Sequence, residues 1–436
     1  MSGEQTAMRP TVRSGLAKAL LIAAALFAIV SGSCDFIPFL GGENAEGGGT
    51  QTPDNVVTLT PTAEPVNAGV PGVAPNRIHF GQSADFSGSA AALGQNMRIG
   101  IQAAFNEVND QGGINGRRME LSNLDDLYTP EKAVINTIRL IEELEVFALI
   151  GAVGTPTSRA AVPVAQEAGV PYIAPFTGAE FLRDPQLENV LNLRSSYFQE
   201  TEEMVERLTT DLGITRISIL YQDDSFGRAG LQGVLNAMEK RDMELASIGL
   251  YQRLTTAVKA ALLDIRQGDP QAVIIIGAYQ PAAALIKWAR HLGMDPVFIA
   301  VSFVGSNALA ESLGSGGEDV FITQVVPFPS DASLPITQEY LRALERYFPN
   351  REPGFVSFEG YLAGRLAIEG VKRCGEDITR ECFLESLRDG EPIDLGGFHV
   401  QYGQGDNQGS DRVFITRIDE NGEFQPVTNM RDAFVQ

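Results

Sequence analysis

Three hydroxyl residues, Thr155, Thr157 and Ser158, follow an apolar run that ends in glycines, in the stretch LIGAVGTPTSRAAVPVAQ. A glycine turn that leads through hydroxyls into a helical pattern can hold a carboxylate or another small anion. Helix-start N–H groups point outward there, and a hydroxyl stands beside them. N-capping explains the same residue types, so Thr155 and Thr157 carry both readings. Ser87, in SADFSGSAAALG, occupies a similar junction between an apolar strand and a helix. YQDDSFG brings Asp223 and Asp224 to another strand end, where one faces a cleft or caps the next helix. GAYQP places Tyr279 at a further strand end, with an amphipathic ring suited to covering a ligand. Glu359, in VSFEGY, stands near a helix start, where its charge also answers the helix dipole.

The residues of covalent chemistry do not assemble around these loops. The three histidines, His79, His291 and His399, sit in no hydrolase-like setting. The chain has no G-x-S-x-G elbow, no H-E-x-x-H, no zinc-spaced cysteines and neither glycine-rich phosphate motif. The expectation is a protein that captures a small molecule without transforming it, with no cofactor and no metal.

The elements that position these loops alternate in type. RIHFGQSA reads as a strand and LGQNMRIGIQAAFNEVND as a helix. Asn115-Gly116 is a hairpin-type turn signal ahead of the next strand. TPEKAVINTIRLIEE opens with Thr129 as N-cap and Pro130 at the first helical position. VFALIGA is a strand, SRAAVPVAQEAG a helix and VPYIAPF another strand. The alternation restarts at RISILYQ and runs through helices at Phe226 to Lys240, Thr256 to Gln267 and PAAALIKWARHLG to the strands PVFIAVS and VFITQVV. Two successive sets predict an α/β protein of two doubly wound, mostly parallel sheet lobes. Helices near Leu334 to Tyr347 and Glu359 to Arg373, then the hairpin VFITRIDENGEFQPV, imply more than one crossing between lobes. The boundaries read as 77–198 with 327–412 for lobe one, and 199–326 with 413–436 for lobe two.

Length agrees, since 436 residues exceed one ordinary domain. A net charge of −22 argues against nucleic acid as a partner. At the start, Arg9, Arg13 and Lys18 precede the apolar run ALLIAAALFAIV, which is short for a bilayer span, and Cys34 follows in SGSC. Residues 1–34 resemble a bacterial lipoprotein signal, in which that cysteine becomes lipidated and anchors the protein to a membrane outside the cytoplasm. Ser31 stands where the pattern prefers leucine, so an ordinary cleaved signal and an uncleaved anchor stay open. Residues 35–76, rich in Gly, Thr, Pro, Asn and Glu, read as a flexible tether. Cys374 and Cys382, separated by the seven residues GEDITRE, are expected to form a disulfide in an exported protein.

Between Arg77 and Val427 the order of IGAVGTPTS, GVPYIAPFTG, LYQDDSFG and IGAYQP resembles the type I periplasmic binding proteins, in particular the branched-chain amino-acid (leucine/isoleucine/valine) binding group. The resemblance implies a two-lobed flytrap that closes on a small ligand and delivers it to an ABC permease. It implies that Thr155 and Thr177, or its neighbour Gly178, meet the ligand's carboxylate and that Tyr279 covers it. Phe226 stands where many members carry tyrosine. The acid that holds an α-ammonium in leucine-type binders has no counterpart here, since Ser302 or Phe303 occupies its place. Either Glu359, Asp224 or Asp85 serves instead, or the ligand is no α-amino acid but a short amide or small carboxylate. A ligand-sensing receptor of the same fold, without transport, is the rival reading.

Overall fold

The computed structural model describes residues 69–434. The chain divides into Met1–Thr62 and Ala63–Gln436, and all that follows concerns the second unit. The expected signal segment, Cys34 and the expected tether up to residue 68 lie outside the described residues.

The first sheet collects β1 (Val73–Ala74), β2 (Arg77–Ala84), β3 (Arg118–Asp125), β4 (Ala148–Ile150), β5 (Tyr172–Ile173) and β6 (Val190–Leu191). Its helices are α1 (Ala91–Asp110), α2 (Pro130–Glu142) and α3 (Thr155–Glu167). β2 pairs in parallel with β3 on one side and β4 on the other, and β5 and β6 continue the sheet in parallel. The antiparallel β1 shares an edge of β2 with β4. β1 corrects the expected tether, which composition ran through Asn76. The reversal pairs Val73 with Ile78 and Ala74 with Arg77, a two-residue bridge that composition averaged over forty residues does not resolve.

The crossing chain enters α4 (Tyr197–Thr210). A second sheet follows, with β7 (Ile217–Gln222), β8 (Ser247–Tyr251), β9 (Ala272–Ile276), β10 (Val297–Ala300) and β11 (Val320–Gln324), interleaved with α5 (Ser225–Glu239), α6 (Lys259–Gln267), α7 (Tyr279–His291) and α8 (Ser306–Leu313). The chain returns to the first lobe for α9 (Pro335–Tyr347), α10 (Phe355–Cys374), α11 (Arg380–Leu387) and the small pair β12 (Ile393–Asp394) and β13 (His399–Val400). It crosses a third time for β14 (Phe414–Ile418), antiparallel to β11, and β15 (Phe424–Val427), antiparallel to β14, which together extend the second sheet. Both sheets are doubly wound in the same order, with the first strand between the second and third: β3-β2-β4-β5-β6 and β8-β7-β9-β10-β11. The α/β class and the two parallel-dominated sheets agree with the sequence reading.

Sequence chemistry sets the details. Asn115 and Gly116 both take left-handed φ, 51° and 78°, and close the Ile114–Arg117 bridge, as a two-residue turn of this type requires. Thr129 holds the N-cap position of α2, yet its hydroxyl donates to the Asp126 carbonyl and no helix N–H bonds to it. α3 begins at Thr155, earlier than expected, with Pro156 in its first turn where a missing N–H costs nothing. α6 starts three residues late, at Lys259. The Cys374–Cys382 disulfide is formed and joins the end of α10 to α11.

The lobe-one core turns on the contact of α1 with α10. A Cβ at Gly100 would lie 2.0 Å from the Ser357 carbonyl oxygen, and one at Gly360 would lie 2.3 Å from that of Met97. The backbones therefore touch where side chains would part them. Gly100→Ala or Gly360→Ala is expected to cost about 1–3 kcal/mol, read as a lower denaturation midpoint with the denaturant slope kept. An unchanged midpoint would show that the two helices can separate freely.

Candidate functional site: the interlobe cleft

In a doubly wound sheet the strand order reverses beside the first strand, and ligands bind outside the strand carboxyl ends there. The reversal lies between β2 and β4 in lobe one and between β7 and β9 in lobe two. Loops from these ends meet across the cleft. The Arg253 guanidinium donates to the Tyr128 carbonyl at 2.7 Å, and Gln222 Nε2 donates to the Tyr128 hydroxyl at 3.4 Å.

At the inner end four rings pack together. Phe303, after β10, lies 4.5 Å from Phe226, 5.5 Å from Phe176 and 6.2 Å from Tyr128, centroid to centroid. Phe176 and Tyr128 come from lobe one, the other two from lobe two. Each such pair adds about 0.5–1.5 kcal/mol beyond buried area. Below them Thr155 and Thr177, both fully buried, share a hydroxyl hydrogen bond of 2.7 Å. The Thr177 hydroxyl also meets that of Tyr197 at 3.3 Å. Burial pushes the Tyr197 phenol up to about 12, keeping it protonated. The structure thus gathers Thr155, Thr177, Phe226 and the loop of Ser302 into one place.

Other expected contacts are already committed within the fold. Thr157 donates back to the carbonyls of Val153 and Gly154 in its own helix turn. Asp224 caps α5, accepting from the N–H groups of Phe226 and Gly227 and from Gln222 Nε2, with Arg253 Nε at 3.8 Å. The Asp85 carboxylate accepts from the Gly88 and Ala90 N–H groups. Exposed Ser87 donates to Asp125 at 2.5 Å. Tyr279 lies almost buried at the start of α7; burial raises its phenol, opposed by a hydrogen bond with the Ala92 backbone of α1. Glu359 falls in the second turn of α10, later than expected, and binds Arg194 through both carboxylate oxygens at 2.8 Å.

Arg194, Glu200 and Tyr128 escaped the sequence reading. Arg194, 1% exposed, stacks on Phe176 at 4.3 Å and closes the hinge segment after β6. Burial lowers its guanidinium, and Glu359 more than reverses this, so it stays above its ordinary value. Glu200 fills the place behind Ser302 where no acid was found: it accepts from the Ser302 N–H and hydroxyl and from the Thr323 hydroxyl. Burial still raises its pKa. A glutamate on the apolar face of α4, among Tyr197, Met204 and Leu208, was the signal available. So was an arginine in the apolar run VLNLRSS.

Tyr128 divides the cleft. Leu127 and Tyr128 both adopt left-handed φ, 52° and 58°, a costly conformation for large side chains. The ring lies against Gly154, where a Cβ would come within 2.3 Å of its Cε2. Beyond it an outer cavity of about 330 Å³ opens, bordered by Ser89 and Tyr128 from lobe one and by Gln222, Tyr251, Thr256 and Gln280 from lobe two. No group of three or more histidine, cysteine or acidic side chains suited to a metal occurs among the described residues.

Fold and site define a two-lobed binding protein with its cleft between matched sheets. The chain belongs to the periplasmic binding protein family, whose profile matches residues 77–423. That family consists of extracytoplasmic solute-binding proteins and is not an enzyme family. A Leu/Ile/Val-binding protein homolog 7 of Brucella abortus is 23% identical over 309 residues, 68% of this chain and 77% of that one. A possible leucine/isoleucine/valine-binding protein from Rhodopirellula baltica has a solved structure with TM-score 0.78 and 37% identity, over 83% of this chain and 98% of that one. A substrate-binding periplasmic protein from Ralstonia solanacearum gives TM-score 0.76 and 28% identity, over 80% and 99%.

Two predictions follow from the buried charges. Arg194→Ala should cost about 3–5 kcal/mol by stranding Glu359, and Glu359→Leu with Arg194→Met should recover most of it; denaturant melts of the single and double variants decide. Asp126, which accepts from the Tyr128 N–H and the Ser83 hydroxyl, is raised to about 7 by burial. The folded chain therefore holds its proton more tightly than the unfolded chain. Its contribution is full below about pH 4 and is lost as pH rises through about 7. Asp126→Asn should flatten that part of the stability profile.

Proposed function

We propose that this chain is the extracytoplasmic solute-binding lipoprotein of an ABC transporter, capturing a small amino-acid-like or amide ligand by hinge closure. The observation that carries this reading is the pair of strand-order reversals that face each other across one cleft, with a cavity between them. Family membership and the names of the relatives, Leu/Ile/Val-binding proteins, support the solute class. Three crossings, at residues 192–196, 325–334 and 401–413, provide the hinge. Thr155, Thr177, Phe226 and Ser302 form the inner end of the closed cleft, while Tyr279 and the loop of Ser87 flank its outer end. Lipidated Cys34 anchors the chain, and the segment from residue 35 to the start of β1 tethers the lobes to the membrane beside the permease.

A thermal-shift screen of amino acids, short amides, urea and small carboxylates tests the capture. A true ligand at 100 times its Kd stabilises by about 2.7 kcal/mol and should reduce the radius of gyration in solution scattering. A blank screen together with turnover of an amide or ester would replace capture by catalysis.

A further inference from the structure

The outer cavity carries a statement about the solute. Its border holds hydroxyl, amide and apolar groups, with no charged side chain among them. Ser89, Thr256 and Gln280 make no side-chain hydrogen bond among the described residues, so they are free to meet a ligand. The Tyr128 hydroxyl accepts from Gln222, which leaves its proton without a protein acceptor there. The first N–H groups of α7 lack a side-chain cap and favour a carbonyl oxygen over an ammonium. The rings of Tyr128 and Tyr251 with Leu254 and Pro281 supply apolar surface. Leu254, 44% exposed and at φ 64°, projects from the loop between β8 and α6. A volume of about 330 Å³ lies at the small end of ligand sites.

An α-ammonium finds no counter-charge here. Both Asp224 oxygens serve α5 and Gln222, with Arg253 alongside. Both Asp85 oxygens hold the turn before α1. Glu200 is fully buried and serves Ser302 and Thr323, and Glu359 serves Arg194. A buried unpaired ammonium is costly, whereas a neutral amide or hydroxyl finds donors and acceptors already in place.

We infer that the solute occupies this outer cavity, beyond Tyr128, and is an uncharged small molecule bearing amide or hydroxyl groups and an apolar face. The inference rests on the solute-binding reading and specifies its substrate class. Four compounds sharing one carbon skeleton test it by titration calorimetry on the full chain: leucine, leucinamide, 4-methylpentanoate and 4-methylpentanamide. The neutral 4-methylpentanamide should bind at least tenfold more tightly than the other three. Thr256→Trp, at an exposed border position, should fill the cavity and weaken that binding at least tenfold while the ligand-free melting temperature stays within a few degrees. Gln280→Ala should weaken it several-fold. Tighter binding of any charged member overturns the inference, as does neutral-amide binding that survives Thr256→Trp. Absence of binding by all four overturns it too, while solute capture itself fails only if the wider screen is also blank.

Discussion

The arrangement depends on one buried ion pair. Arg194 ends the path from β6 toward the second lobe, and Glu359 belongs to α10, which packs on α1. Their bidentate bond fixes the crossing chain to the most buried helix of lobe one. Neighbouring bonds spread that fixation. Arg183 donates to the carbonyls of Thr177, Ala179, Arg194 and Ser195. Asn192 and Asn407 join the first crossing to the third, and the Ser195 hydroxyl donates to the Arg412 carbonyl. Charge buried at this depth adds little net stability, because desolvation offsets attraction. Its contribution is direction: it sets the point from which the second lobe departs.

From that point two similar sheets confront each other. Matching strand orders place matching loops opposite, so the cleft has an internal logic of pairs: the loop after β5 against that after β10, the loop after β3 against those after β7 and β8. The inner pair is filled by phenylalanine rings and closed hydroxyls. The outer pair keeps open volume. Tyr128 stands between them, held on its backbone by Asp126 and on its carbonyl by Arg253, which makes a strained residue the partition of the cleft.

Much of this was legible in the residues. β2 coincides with RIHFGQSA, the Asn115-Gly116 turn has the geometry its sequence requires, and the repeat of strand and helix yielded both lobes. The strand-end loops were found because glycine and hydroxyls break apolar periodicity. What escaped were residues whose role is created by distance. Arg194 and Glu359 lie 165 positions apart, and Glu200 meets Ser302 over 102. No local period encodes such a meeting. Thr157 and Asp224 show the opposite limit: their types suit a ligand, but the nearest helix turn claims them first.

The third crossing has a consequence for how the chain is built. β14 and β15 complete the second sheet, yet they follow the whole C-terminal part of lobe one. Thr416 pairs with Ile322 across more than ninety positions. Until β14 arrives, β11 presents an unpaired edge, the kind of surface on which chains stick to one another. Lobe two is therefore finished last, although most of it is synthesised before α9. A pairing of such long range is slow to form, so the β11 edge is the part of the second sheet that is closed last.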